Sequence, residues 1–107
     1  MDIEPRNPAP YRIGILPIPG FALMSYACTV EPFRAANLLS GETLYDVVHF
    51  ALGGETRSSG QARVGAEYAV GETPAIDLLL VVAGGDPARF DDADALAWLG
   101  RMARRGV

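Results

Sequence analysis

The run from Arg12 to Asn37, RIGILPIPGFALMSYACTVEPFRAAN, constrains this chain more than any other stretch. Its first third, Arg12 to Ile18, is short and mostly apolar, as a strand covered on both faces should be. Pro17 and Pro19 stop that strand, and Gly20 permits a tight turn. From Phe21 to about Leu39 the apolar residues return at helical spacing, with Leu23, Ala27 and Val30 in one row and Tyr26, Val30 and Phe33 in another. A strand feeding a helix through a short turn opens an α/β sheet, and it places a ligand crevice at that turn. Pro32 lacks a backbone donor, so the reading expects a kink, or two shorter helices meeting near Val30. Ser40 and Gly41 end the segment.

Further along, Tyr45 to Leu52 (YDVVHFAL) has the Val, Phe and Tyr content of a second strand, closed by Gly53-Gly54. The span from Glu55 to Ala69 alternates small, polar and apolar residues around Ser58-Ser59-Gly60 and reads as a pair of short, partly exposed strands. Ile76 to Ala83 is an almost unbroken Leu/Val run, expected as a central parallel strand with both faces buried. It ends in the breakers Gly84-Gly85-Asp86-Pro87. A last helix is expected from about Asp92 to Arg105, with Asp91, Asp92 and Asp94 at its start and Arg101, Arg104 and Arg105 at its end, matching the helix dipole. Ala95, Trp98, Leu99 and Met102 form its core stripe, and Gly106 is its C′ residue. The order β-α-β-(β-β)-β-α specifies an α/β layered fold in one domain over residues 12–107, preceded by a proline-rich flexible arm over residues 1–11. A doubly wound sheet needs more chain than this, so the sheet is expected to be incomplete at its C-terminal end.

Size and charge narrow the function. The chain has 107 residues, half of them hydrophobic, a net charge of −4 and no lysine. An acidic surface does not neutralise phosphates, so these residues are not expected to bind DNA by themselves. A single cysteine excludes an internal disulfide and a cysteine-based zinc cluster, and a lone histidine makes a metal site improbable. The polar start MDIEPRNPAP has no apolar core of a secretory signal, and no apolar run reaches the roughly 18 residues of a membrane span. A cytoplasmic location, away from membranes, is the default expectation.

Candidate binding residues fall at the two breaker-rich turns. Gly84 and Gly85 stand at the carboxyl end of a buried strand, where α/β sheets bind ligands. Their N–H groups either face an anion or carbonyl oxygen, or the glycines simply serve the tight turn. Asp86 beside them either reads a polar ligand group or caps the turn. Pro19 and Gly20 form the opposite wall. Glu31 either points to the crevice and pairs with Arg34, or is a solvated helix-face carboxylate. Cys28 sits mid-helix with no cationic neighbour and reads as buried packing, and His49 reads as a strand histidine with some hydrogen-bond partner.

The segment PGFALMSYACTVEPFRAAN, followed by SGETLYDVVHFALGG, SSG and DLLLVVAGGDPARFDDADALAWLGRMARRGV, resembles the N-terminal domain of AraC-family transcriptional regulators of the GlxA type. That domain is similar to the class I glutamine amidotransferase-like, or ThiJ/PfpI, superfamily. Val30-Glu-Pro-Phe-Arg-Ala-Ala-Asn37 is the most specific part. The resemblance implies a flavodoxin-like three-layer sandwich with a mostly parallel sheet. It implies a module that senses an unidentified small-molecule effector and forms homo-oligomers. DNA would be bound only through a C-terminal helix-turn-helix domain that is not among these residues. Enzymes of the superfamily carry a nucleophile elbow and an acidic residue early in the first helix. Here the elbow is not among these residues, and the acid's place is matched by Ser25, whose neutral hydroxyl cannot supply a carboxyl group's proton or charge. A non-catalytic domain without a cofactor is therefore expected. The alternative is the N-terminal half of a ThiJ/PfpI-type hydrolase or amidotransferase-like enzyme.

Overall fold

The computed structural model describes residues 9–86 and 89–107. Most of the expected N-terminal arm, residues 1–8, and Pro87 of the second turn lie outside the described residues. The elements run β1 (Tyr11–Pro17), α1 (Leu23–Ser40), β2 (Tyr45–Ala51), β3 (Glu55–Arg57), β4 (Arg63–Gly65), β5 (Tyr68–Ala69), β6 (Leu78–Val82) and α2 (Ala93–Arg104). Four strands form one sheet in the order β5-β2-β1-β6, all parallel. The chain is therefore an α/β unit with a parallel sheet. β3 and β4 form a separate antiparallel hairpin whose turn carries Ser58-Ser59-Gly60.

Strand alternation divides the core between the two faces of the sheet. On one face Ile13 and Ile15 of β1, Tyr45 and Val47 of β2, and Leu78 and Leu80 of β6 pack with Tyr26, Val30 and Phe33 of α1. On the other, Leu16, Val48, Phe50 and Leu79 pack with Trp98 and Met102 of α2. The second of the two helical rows in α1 is thus its core row. Leu23, from the other row, is about half exposed.

The central strand is β1, and its residues from Ile13 to Pro17 are buried. Among the described residues β6 pairs with β1 along one edge, and the burial expected for both faces of the Leu/Val run is incomplete, since Val81 is 47% exposed. Gly14 lets the sheet pack tightly. A Cβ there would stand 2.7 Å from the Phe50 ring and 2.9 Å from Ile76 Cδ1, so β1 has a glycine where the facing ring needs room.

Helix α1 also departs from expectation, because it is one unbroken helix of 18 residues through Pro32. Pro32 and Cys28, the residue four positions earlier whose carbonyl would have accepted from an N–H at position 32, are both exposed. Solvent has access at this position, so the proline is tolerated without dividing the helix. Gly41, with φ 73°, ends α1 and donates its N–H to the Asn37 carbonyl. Helix α2 matches its sequence signals closely. The Asp92 side chain caps its start by accepting from the Ala95 N–H at 2.9 Å. At its end the Gly106 N–H bonds to Ala103 and the Val107 N–H to Met102, with Gly106 at φ 85°. These are the two bonds of a Schellman motif, and Val107 packs on the Met102 cluster as that motif requires.

Candidate functional site

The turns after β1 and β6 meet at the carboxyl edge of the sheet. The Ile18 N–H donates to the Val82 carbonyl at 2.8 Å, carrying the β1–β6 ladder one residue past the strand. Gly84 then passes directly over the turn into α1. A Cβ on it would lie 2.5 Å from the Ala22 nitrogen, 3.0 Å from the Phe21 carbonyl carbon and 3.1 Å from the Gly20 carbonyl oxygen. No residue with a side chain fits between these two backbones. Gly20 and Gly85 differ from Gly84: each has open space around it and a positive φ, 85° and 58°, so their requirement is conformational.

The hairpin closes the same end of the sheet. The Gly20 N–H donates to the Arg57 carbonyl at 2.9 Å, and the Ser59 N–H to the Phe21 carbonyl at 2.8 Å. Ser58 is buried, with its Oγ accepting from the Gly60 N–H. Beside this junction a cleft of about 320 Å³ is lined by Ile18 and Pro19 from the first turn, Leu52 after β2, Gly84 and Asp86 from the second turn, and the segment from Arg89 to Asp92 leading into α2. Its volume is at the small end of the range for ligand pockets, and its place at the carboxyl ends of parallel strands is where such sheets bind ligands.

Pro19, Gly84 and Asp86 thus line one cleft, while Gly20 and Gly85 shape its turns. Arg89 and Phe90, to which sequence reasoning gave no role, line the cleft too, as do Asp91 and Asp92, read there only as charges at the start of α2. So does Leu52, the residue that follows β2. Its place after a parallel strand neighbouring β1 was the signal that could have found it.

Glu31 is not part of this cleft. It forms an ion pair with Arg34 on the outer part of α1 and lines a second groove, of about 410 Å³, between α1 and β2. That groove brings together Tyr26, Val30, Asn37, Tyr45, Val47 and His49, residues from one face of a helix and alternate positions of a strand. The Tyr26 hydroxyl lies 2.8 Å from His49 Nε2, supplying the hydrogen-bond partner expected for a strand histidine. The Glu67 carboxylate accepts the His49 backbone N–H at 2.7 Å and stands 3.8 Å from Nδ1. Burial lowers the His49 pKa below its ordinary value, with Glu67 opposing. Burial, followed by the nearby Glu67 and Glu31 charges, raises that of Tyr26. Tyr26 is therefore held as a neutral phenol, suited to donating a hydrogen bond and not to acting as a nucleophile.

Asn37, the last residue of the specific motif, uses both its amide nitrogen and its amide oxygen. Its Nδ2 donates to the Tyr45 carbonyl, and its Oδ1 accepts from the N–H groups of Leu44 and Tyr45. Val30 and Phe33 of the same motif pack on the sheet. The motif's chemistry is thus the docking of α1 onto the start of β2. Cys28 is exposed on the outside of α1, which corrects the expectation of a buried thiol. Ser25 is exposed near the start of α1, and its carbonyl accepts from the Thr29 hydroxyl.

No protein-family model matches the chain. It is 44% identical over 98 residues to the HTH-type transcriptional regulator GlxA of Rhizobium meliloti (strain 1021), a match covering 90% of this chain and 30% of that protein. It is 32% identical over 105 residues to the HTH-type transcriptional regulator GbdR of Pseudomonas aeruginosa (strain UCBPP-PA14), covering 97% of this chain and 29% of that protein. The HTH-type transcriptional regulator CdhR of Pseudomonas aeruginosa is 35% identical over 90 residues, covering 84% and 27% respectively. Among solved structures, an AraC family transcriptional regulator from Pseudomonas putida shares the fold, with a TM-score of 0.70 at 24% identity over 91% of this chain and 61% of that one. The chain spans about 30% of the length of the curated relatives it matches.

Proposed function

We propose that this chain, a homologue of one segment of the GlxA-type, AraC-family HTH transcriptional regulators, is a non-catalytic module that senses a small effector and associates with a second copy of itself. The observation that carries the sensing half is the convergence of the Pro19-Gly20 and Gly84-Gly85-Asp86 turns on one cleft at the carboxyl edge of β1 and β6. Two backbones that touch at Gly84 transmit displacement directly. An effector that moves the second turn moves the start of α1 with it. In the parent regulators DNA would be read by a separate helix-turn-helix region, and this segment would report effector occupancy to it. A cytoplasmic site of action goes with that role.

The non-catalytic reading rests on the chemistry at hand. The residue at the acid's place in α1 is Ser25, a neutral hydroxyl. Cys28 lies on the outer side of α1, remote from the cleft residues, and the Tyr26–His49 pair has a phenol held protonated. Isothermal titration of the chain with small amines, carboxylates and zwitterions tests the sensing role. Saturable binding to the wild-type chain, lost on altering the cleft, is the expected result. Turnover of any of these compounds would contradict the non-catalytic half.

A further inference from the structure

Helix α1 does not cover its face of the sheet evenly. Ile13 and Ile15 of β1 are fully buried beneath it, whereas Tyr45, Val47 and His49, the β2 residues on the same face, are only half-buried. The opposite face of β2 is closed, with Val48 and Phe50 buried. The strip left open is the groove of about 410 Å³ between α1 and β2. It is larger than the carboxyl-edge cleft and within the size range of small-molecule sites.

The walls of this groove restrict its occupant. Tyr45 and His49 are four residues apart on an extended strand, roughly 13 Å, with Val47 as the floor between them. One flat ring, or two fused rings, fits over Val47 between these two aromatic side chains, with Tyr26 and Val30 of α1 alongside. At one end of the groove the Asn37 amide is engaged with the backbone at the start of β2. At the other end the Tyr26 phenol donates to Nε2 of a neutral His49, which leaves the imidazole proton on Nδ1, the side facing Glu67. The phenol oxygen keeps an acceptor lone pair. Glu31 and Arg34 at the mouth hold each other, and Glu67 accepts the His49 backbone N–H. A charged group carried into the groove therefore finds these partners already engaged.

We propose that this groove is a second ligand site, separate from the carboxyl-edge cleft, for a small uncharged aromatic compound with one O–H or N–H donor. The ring lies over Val47 between Tyr45 and His49, and the donor bonds to Tyr26 Oη. Phenols and indoles have this chemistry. Charged amines, carboxylates and zwitterions do not, so the two sites take different ligands.

Titrating the whole chain with phenol, indole, anisole and benzoate, followed by ¹⁵N-resolved NMR, tests this. Phenol and indole should shift the Val30, Val47 and His49 amides saturably and leave those of Gly84 and Gly85 unmoved, and benzoate should shift none of them. Tyr26→Phe/His49→Leu keeps the bulk of the pair and removes both acceptors, a change that circular dichroism should show to be tolerated. In that variant the affinity of phenol relative to anisole, which has the ring without the donor, should fall by about two- to tenfold. Val47→Phe fills the floor of the groove and should block phenol and indole. Absence of saturable shifts at the groove, or binding that persists in Val47→Phe, would overturn the site. An unchanged phenol-to-anisole ratio in the double variant would overturn the Tyr26 anchor, and benzoate binding in the groove would overturn the uncharged ligand class.

Discussion

Gly84 and Ala22, 62 positions apart in sequence, are in backbone contact: a Cβ built on Gly84 would lie 2.5 Å from the Ala22 nitrogen. The atom it would strike is backbone at the start of a helix, which cannot swing aside as a long side chain would. Gly84→Ala should therefore separate the two turns and cost about 1–3 kcal/mol, read from the urea midpoint at unchanged slope. Gly20→Ala adds its methyl in open space and meets only the strain of φ 85°, so its cost should come from conformation alone. Restoring space opposite position 84 should therefore rescue nothing at position 20.

Asn37 makes a different kind of prediction. Asn37→Ala removes three hydrogen bonds and leaves the Tyr45 carbonyl and two N–H groups at the start of β2 without their partners. The expected loss is about 1–3 kcal/mol in urea unfolding. Asn37→Asp keeps the acceptor and should be the milder change. Hydrogen exchange at the Leu44 and Tyr45 amides should accelerate in the alanine variant ahead of the Ile13 and Ile15 amides in the central strand.

The Gly14–Phe50 pair predicts a compensation. Gly14→Ala places a methyl 2.7 Å from the Phe50 ring and should destabilise the chain by about 1–3 kcal/mol. Combining it with Phe50→Leu, which opens space on the same side, should cost less than the sum of the single changes. Strict additivity in a double-mutant cycle would show that the glycine serves something other than room for that ring.

Much of this was legible in the sequence, and what was not follows from particular residues. Local signals located α2 almost to the residue, because Asp92, Gly106 and the Ala95–Met102 stripe each act within one or two turns of a helix. The two turns forming the cleft were legible for the same reason, since glycine and proline punctuate a chain wherever it goes. The pairing of β6 with β1 was not, because strand partners are set by long-range contacts that leave no mark on Leu78–Val82 itself. The exposure of Cys28 was missed because apolar residues occur on both sides of α1, so composition cannot say which side the sheet takes. For Glu31 the sequence left a choice between the crevice and the helix face, and the rotation of α1 that packs Val30 and Phe33 on the sheet sets Glu31 outside the carboxyl-edge cleft.

His49 sets a pH dependence whose sign can be worked out. Burial holds its folded-state pKa below the ordinary 6.5, with Glu67 partly opposing, and Tyr26 Oη faces it from α1. Above pH 6.5 the imidazole is neutral in both states and contributes no slope. As the pH falls through that value the unfolded chain takes up the proton first. The folded state then loses stability until its own, lower pKa is passed. The urea midpoint should therefore drop as the pH falls below about 7, and His49→Gln should remove that part of the drop. Glu67→Gln removes the favourable charge, so the imidazole should titrate at still lower pH by proton NMR.

The central claim is that the cleft between the Pro19-Gly20 and Gly84-Gly85-Asp86 turns is the effector site. The most direct test is a ¹⁵N-resolved NMR titration of the chain with a panel of small amines, carboxylates and zwitterions. Concentrations should reach several times 1 mM, where affinities of about −4 kcal/mol become visible. The account predicts that a binding compound shifts the amides of Gly20, Gly84, Gly85 and Asp86 first, and that Gly84→Ala weakens this binding. Shifts centred instead on Tyr26, Val47 and His49, with those four amides unmoved, would contradict it.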